Sequence, residues 1–142
     1  MAALFINPDS SVQAYQGLAK VYSAIEPPTW SLLLAESCRS KGFDVAILGC
    51  DAERLSLDQS LDRVQTLKPR IVVLAVYGQN PNSGTTSMIG ALALAKAIKD
   101  AYIDTKVCFW DHTRVRFRWR CWHKIVLTLC CLMRGSMRCT TS

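Results

Sequence analysis

The sequence predicts an α/β fold with a doubly wound parallel sheet, and three features predict it. Residues 71–76 are six β-prone residues, apolar on both faces, as in a parallel strand covered by helices on each side. A polar loop and a segment with helical spacing follow them. Strand-like and helix-like segments also alternate along the chain, with connections long enough for right-handed crossovers. Such a sheet is Rossmann-like or flavodoxin-like, and we expect it to be incomplete at the C-terminus.

Proline and glycine delimit the first helix. Residues 4–6 are predicted as the first strand. Pro28 ends any helix before it, and Thr29 can then cap a helix over residues 30–40. Gly42 suits the position just after that helix, where a left-handed backbone is common. The side of the helix that we expect to face the core carries Leu33, Leu34 and Ser37.

Two further units follow the same plan. Residues 45–48 are predicted as the second strand, and residues 57–67 as a helix that starts through the cap chemistry of Ser56. The helix after the third strand should end near Ala101, and residues 106–109 begin a fourth strand. In that third helix the apolar positions about one turn apart are Ile89, Leu92, Ala95 and Ile98.

Length and composition indicate one domain in the cytoplasm. The 142 residues are enough for a single domain with a substantial core. The first residues lack the basic region of a signal peptide, and no apolar run approaches the ~20 residues that span a bilayer. We therefore expect reduced thiols and no membrane partner, and the oligomeric state stays open.

The net charge of +6 is concentrated at one end of the chain. Residues 1–113 contain ten Lys and Arg against eleven Asp and Glu, a net charge of −1. Residues 114–142 contain seven Lys and Arg and no acid, with four of the seven Cys and two of the four Trp. Composition thus divides the chain into an α/β domain and a basic tail.

The loops that follow the four predicted strands meet at one edge of the sheet. They cover residues 7–11, 49–51, 77–86 and 110–113. Open α/β sheets bind ligands at this edge, where the strand order reverses, so we expect a ligand site here rather than a row of solvated turns. The candidate contacts are Asn7, Pro8, Asp9, Ser10, Ser11, Asp51, Tyr77, Gly78, Gln79, Asn80, Ser83, Trp110 and Asp111.

Several ligand classes are disfavoured. Residues 7–11 contain no glycine, and the chain has neither a Gly-rich phosphate loop with Lys nor G-x-G-x-x-G after its first strand. This argues against nucleoside triphosphates and NAD. A response regulator would use Asp9, Asp51 and a later Lys, but its acidic cluster is missing. Cys38 and Cys50 are expected to be small packing residues.

Short motifs occur in a fixed order along residues 3–113. They are a strand ending in Asn7-Pro8, Pro27-Pro28 before an apolar helix, Lys41-Gly42-Phe43-Asp44-Val45 with Asp51 beyond it, Leu67-Lys68-Pro69-Arg70-Ile71-Val72-Val73, and Ala97-Ile98-Lys99. In order and spacing this stretch resembles the N-terminal cobalamin-binding domain of B12-dependent radical S-adenosylmethionine proteins.

The resemblance implies a corrinoid ligand. In such domains the corrin ring lies over the strand ends, the nucleotide tail enters along the sheet, and the loops after the first, third and fourth strands make the contacts. The chain would then be a cobalamin-binding module for a methyl-transfer or radical partner domain, and not itself an enzyme. The alternative is a non-catalytic α/β fragment with no specific ligand, whose basic tail binds nucleic acid nonspecifically.

The chain departs from that pattern in three places. Residues 9–14 lack the histidine of the Asp-x-His-x-x-Gly motif that other cobalamin domains carry, so no histidine from this loop ligates cobalt. Trp110-Asp111 stand where the family often has Gly-Gly, and an indole would crowd a flat ligand. The tail cysteines lack Cys-x-x-x-Cys-x-x-Cys spacing, so we expect no iron–sulfur cluster and no radical chemistry.

The tail has the composition of out-of-frame translation. Codons shifted by one base can be read as a string containing VDIVLL and NEG, which resembles the missing fifth strand and the segment after it. We therefore expect residues 114–142 to be frame-shifted and poorly ordered. Loss of the fifth strand would leave an unpaired sheet edge that promotes aggregation.

Other interpretations of the tail are weaker. Its alternating Arg and aromatic residues could bind nucleic acid through phosphates and stacking. A zinc site from Cys121, His123, Cys130 and Cys131 would have no standard spacing. The apolar residues 125–133 are too few to cross a membrane, and His112 is expected to be a turn residue.

Overall fold

The computed structural model describes residues 1–9, 27–76, 81–101 and 103–111. Its sheet has four strands, all parallel, in the order β2-β1-β3-β4. This confirms the predicted α/β fold with a doubly wound sheet. The elements are β1 (Ala3–Asn7), α1 (Thr29–Arg39), β2 (Val45–Gly49), α2 (Leu57–Leu67), β3 (Ile71–Val76), α3 (Pro81–Asp100) and β4 (Lys106–Asp111).

Apolar layers cover both faces of the sheet. On one face, α1 packs over alternate residues of β1 and β3, such as Phe5 and Val73. On the other face, α2 and α3 pack over the residues between them, such as Leu4 and Val72. All six residues of β3 are buried. A strand that is apolar on both faces fits this central position, as the sequence indicated.

The second helix begins and ends where the sequence predicts. Ser56 and Gln59 form a capping box, in which the Ser56 hydroxyl accepts from the Gln59 amide and the Gln59 side chain accepts from the Ser56 amide. The pair satisfies two backbone donors that a helix start leaves free. This signal is local in sequence, and for that reason it can be recognised without the fold.

The first helix differs from its prediction in its cap and its buried side. Thr29 is the first helical residue rather than the cap, and Pro28 takes the cap position without a side-chain hydrogen bond. Leu33 is half-exposed, whereas the side facing the sheet consists of Ser31, Leu34, Ala35 and Cys38. Gly42 adopts a left-handed backbone with φ of +82° in the turn that follows, as expected.

The third helix is longer than predicted. It begins at Pro81, a favoured residue for a first helical position, so residues 81–86 belong to the helix and not to the loop. Of the apolar positions about one turn apart, Ile89 and Leu92 are more than half exposed. The side chains buried against the sheet are those of Ala91, Leu94 and Ile98.

The fourth strand is also longer than predicted. It extends through Trp110 and Asp111, so these two residues end a strand rather than start a loop. Asn7 and Gly49 likewise end β1 and β2 instead of belonging to the loops. The basic tail lies outside the described residues. None of the helices in the described part of the chain is long and apolar enough to cross a membrane.

Candidate functional site

The strand order reverses between β1 and β3. From β1 the chain first builds outward to β2 and then returns to place β3 on the other side of β1. Doubly wound sheets form a ligand-binding crevice at such a reversal, at the carboxyl ends of the strands. Asn7 ends β1 and Val76 ends β3, and both lie at this edge of the sheet.

A cleft of about 320 Å³ lies beside this crevice, on the face covered by α2 and α3. Its volume is near the lower end of the range for ligand pockets, ~300–1,000 Å³. Most of its lining is apolar or small, as in sites that take an uncharged group. The lining residues are Pro8, Asp9, Cys50, Leu55, Ser56, Leu57, Ser60, Gly90, Ala93 and Leu94.

Gly90 allows the chain leaving β1 to lie directly against α3. A Cβ atom added at Gly90 would overlap the backbone carbonyl oxygen of Asp9 and come within 3.6 Å of the Pro8 ring. Only glycine leaves room for this approach. The Gly90 contact thus fixes both the path of residues 8–9 and the rotation of α3, and it forms one wall of the cleft.

Two polar side chains lie in the deep part of the cleft. Cys50 and Ser60 are 2% and 3% exposed. The Ser60 hydroxyl lies 2.9 Å from the Ser56 carbonyl oxygen, to which it can donate, and 3.3 Å from the Cys50 sulfur. Burial raises the pKa of the Cys50 thiol above its ordinary value of 9.0. A buried thiol that stays protonated is a poor nucleophile, so Cys50 is a packing residue here, as predicted.

The raised pKa of Cys50 should make stability fall at alkaline pH. The folded state holds the Cys50 proton more tightly than the unfolded chain, so this group stabilises the fold below the ordinary pKa of 9.0. That contribution is lost as the pH rises through the folded pKa, at up to about 1.4 kcal/mol per pH unit. Urea denaturation at several alkaline pH values should show a steeper loss in the wild type than in Cys50→Ala. If the stability of both proteins fell equally with rising pH, the alkaline loss of stability would not come from Cys50.

Asn7 is directed to the opposite face of the sheet from the cleft. Its side-chain oxygen accepts a hydrogen bond from the hydroxyl of Ser31, which is fully buried in α1. The backbone carbonyl of Asn7 also accepts from the Cys50 amide at 3.0 Å, which extends the pairing of β1 and β2 by one step. Asn7 therefore fixes the end of β1 between α1 and β2.

Trp110 belongs to the core under α1. It is 6% exposed, and its ring centroid lies 5.3 Å from that of Trp30 at an interplanar angle of 41°. Offset, tilted packing of this kind is favourable for aromatic pairs. The two indoles fill the apolar layer between α1 and the ends of β3 and β4. Trp110 is therefore part of the core and is not exposed at the carboxyl edge of the sheet.

The structure therefore brings together only some of the predicted site residues. Pro8 and Asp9 line the cleft, and Asp51 lies half-buried in the turn after β2, outside the cleft lining. Ser83 and Asp111 are placed within α3 and β4 by their backbones alone. The remaining candidates fall outside the described residues: Ser10, Ser11, Tyr77, Gly78, Gln79 and Asn80.

The sequence analysis did not identify the residues of α2 and α3 that line the cleft. Gly90, Ala93 and Leu94 come from α3, whereas Leu57 and Ser60 come from α2. The one available signal was Gly90 itself, since a glycine inside a helical pattern often marks a close backbone approach. The residue that approaches it, Asp9, is about eighty positions away, and no local pattern connects the two.

Comparison of the chain with protein-family models, with curated proteins and with solved structures gives no match. Within the described ranges no three His, Cys, Asp or Glu side chains are grouped so that they could hold a metal ion.

Proposed function

We propose that residues 1–113 form a corrinoid-binding module, which serves a partner domain and has no catalytic residues of its own. The observation that carries this proposal is the strand-order reversal between β1 and β3, with residues 8–9 leaving β1 beside a cleft at the same edge. Doubly wound sheets bind planar cofactors at such a position. The short motifs along the sequence support cobalamin as the particular cofactor.

The size of the cleft limits how a corrinoid would fit. A volume of about 320 Å³ suits a group the size of a nucleotide base, so the macrocycle would have to lie outside, over the ends of the strands. On the α1 face the Trp30–Trp110 pair leaves the apolar layer filled. The cleft between α2 and α3 lies next to the residues that leave β1, and the nucleotide tail would enter there.

Within the described ranges, few residues would hold the cofactor through polar contacts. Asp9 and Ser60 line the cleft and offer oxygen atoms to a ligand, while Pro8, Leu57 and Leu94 supply apolar surface. When bound, a corrinoid supplies a cobalt centre for methyl or radical chemistry. The chain's own contribution is to bind and orient it, because the loop after β1 contains no histidine to ligate cobalt.

Titration of the purified full chain with hydroxocobalamin tests the proposal. We expect a shift in the visible spectrum and co-elution of the cofactor on gel filtration. Ala93→Phe should fill the cleft and weaken binding about tenfold or more, whereas Leu33→Phe, on the exposed side of α1, should have no effect. Cobinamide, which lacks the nucleotide tail, should bind more weakly than hydroxocobalamin.

Two outcomes would contradict the corrinoid proposal or the role of the cleft. If neither hydroxocobalamin nor cobinamide is retained by the folded chain, the corrinoid proposal is wrong and the fragment without a specific ligand is favoured. If both bind alike, and Ala93→Phe has no effect, the module binds the macrocycle without using the cleft. Circular dichroism of each variant verifies that the fold is kept.

A further inference from the structure

The side chain that ends β1 is held by a helix on the opposite face of the sheet from the cleft. Asn7 accepts a hydrogen bond from the hydroxyl of Ser31, which lies in the first turn of α1 and is fully buried. The other buried side chains on this side of α1 are those of Leu34, Ala35 and Cys38. A hydroxyl buried among such residues costs free energy unless it has a hydrogen-bond partner. The bond to Asn7 supplies that partner.

A serine is not needed at position 31 for packing or for helix formation. Alanine is smaller, fully apolar and the best helix former, so it would suit a buried position of α1 at least as well. What Ser31 adds is a hydroxyl group that reaches β1. The specific contribution of Ser31 is therefore to hold Asn7.

The contact of Ser31 with Asn7 is transmitted to the cleft through the next residue, Pro8. Successive residues of a strand point to opposite faces of the sheet, and Asn7 is directed to α1 whereas Pro8 lines the cleft. The ring of a proline fixes its φ at about −65° and restricts the preceding residue to extended conformations. The Asn7-Pro8 unit is therefore stiff, and a displacement of Asn7 moves the wall of the cleft.

The backbone beyond the Asn7 side chain also contacts the cleft. The Asn7 carbonyl oxygen accepts from the amide of Cys50 at 3.0 Å, and Cys50 lines the cleft. On α3, Gly90 lies against the carbonyl oxygen of Asp9. The residues that leave β1 are thus held by α1, by the turn after β2 and by α3. Of these three contacts, the one with α1 comes from the face opposite to the cleft.

We propose that Ser31 is a positioning residue for the cleft. Its hydroxyl holds the Asn7 side chain, and through the stiff Asn7-Pro8 unit it sets the position of the wall that a ligand meets. Ser31 itself does not contact the ligand. For the identity of the ligand, the nucleotide tail of a corrinoid, this proposal rests on the proposed function, whereas the position of the wall does not depend on that function.

Hydrogen exchange tests the positioning without a ligand. The Cys50 amide, which donates to Asn7, should exchange at least about fivefold faster in Ser31→Ala than in the wild type, relative to the amide of Val73 in the central strand. The Val73 amide reports any loss of global stability. Cys38→Ala changes a fully buried residue about two turns further along the same side of α1. It is the matched control and should leave the ratio of the two exchange rates unchanged.

Hydroxocobalamin binding tests the consequence for the cofactor, under conditions in which circular dichroism shows every variant to be folded. Ser31→Ala should weaken binding about three- to tenfold, and Cys38→Ala should leave it unchanged. In the Asn7→Ala background, Ser31→Ala should have no further effect, because Ser31 acts through Asn7. If Ser31→Ala weakened binding equally with and without Asn7, the two effects would be independent and the positioning role would be wrong.

The two experiments distinguish this proposal from the corrinoid function. If the ratio of exchange rates is the same in Ser31→Ala and in the wild type, Ser31 does not hold the end of β1 and the proposal is overturned. If the ratio changes but the wild type binds no hydroxocobalamin, the corrinoid function is wrong and the positioning of the cleft wall by Ser31 is supported. If the wild type and Ser31→Ala bind hydroxocobalamin equally, Ser31 does not position a wall that the cofactor uses.

Discussion

Replacing Trp110 by alanine is expected to lower the free energy of unfolding by about 3–5 kcal/mol. The indole is 6% exposed and packs on Trp30 in the layer between α1 and the sheet, so its removal leaves a large cavity that α1 cannot fill. Because small domains are stable by only ~5–15 kcal/mol, the variant should be close to unfolding. Urea denaturation followed by circular dichroism measures the change.

The neighbouring residue provides the control for Trp110. Phe109 is also aromatic, but it is 44% exposed on the other face of β4. Phe109→Ala should cost about 1 kcal/mol or less, while Trp110→Phe should recover much of the loss that Trp110→Ala causes. Equal costs for the two alanine variants would show that Trp110 is not a core residue and would reopen its role as a ligand contact at the sheet edge.

The second large effect is expected at Gly90. Gly→Ala inside a helix normally gains up to ~1 kcal/mol from helix propensity. At Gly90 the new methyl group would overlap the Asp9 carbonyl, which is backbone and cannot rotate away. Overpacking of this kind costs ~1–3 kcal/mol, so Gly90→Ala should be net destabilising by about 1–2 kcal/mol. Hydroxocobalamin binding should weaken as well, since residues 8–9 would be displaced.

Gly49 is the matched control for that change. A Cβ atom at Gly49 would meet only the Ala52 methyl group at 3.4 Å, an ordinary contact, and its φ is not in the left-handed region. Gly49→Ala should therefore be neutral or slightly stabilising. If Gly90→Ala were as well tolerated as Gly49→Ala, the close approach of Asp9 to α3 would be wrong. The shape of the cleft would then have to be revised.

The helices α2 and α3 differ in how much of their structure is encoded by neighbouring residues. The bounds of α2 were predicted correctly because its start depends on Ser56 and Gln59, three positions apart. The buried face of α3 did not follow from its sequence, because apolar residues occur nearly all round this helix and several faces have helical spacing. The contact of Gly90 with Asp9 selects one face, and that contact joins distant parts of the chain.

The candidate site was also predicted only where a local signal was enough. Pro8 and Asp9 were found because they follow a strand, and any residue there lies at the ligand-binding edge of a parallel sheet. The opposite wall of the cleft was missed because its residues belong to the middle of α3 and to the start of α2. Trp110 was assigned to a loop because only residues 106–109 were predicted as the fourth strand. In the structure it packs on Trp30, which comes from α1.

The sequence by itself determined the order of strands and helices and the parallel sheet, because apolar runs, caps and breakers act over a few neighbouring residues. Only the tertiary structure decided which face of each helix is buried, where the cleft lies and that the indole of Trp110 is in the core. These depend on contacts between residues far apart in the chain, such as the clearance between a helical glycine and a carbonyl beyond β1. Such contacts contribute to stability only once the whole sheet has assembled.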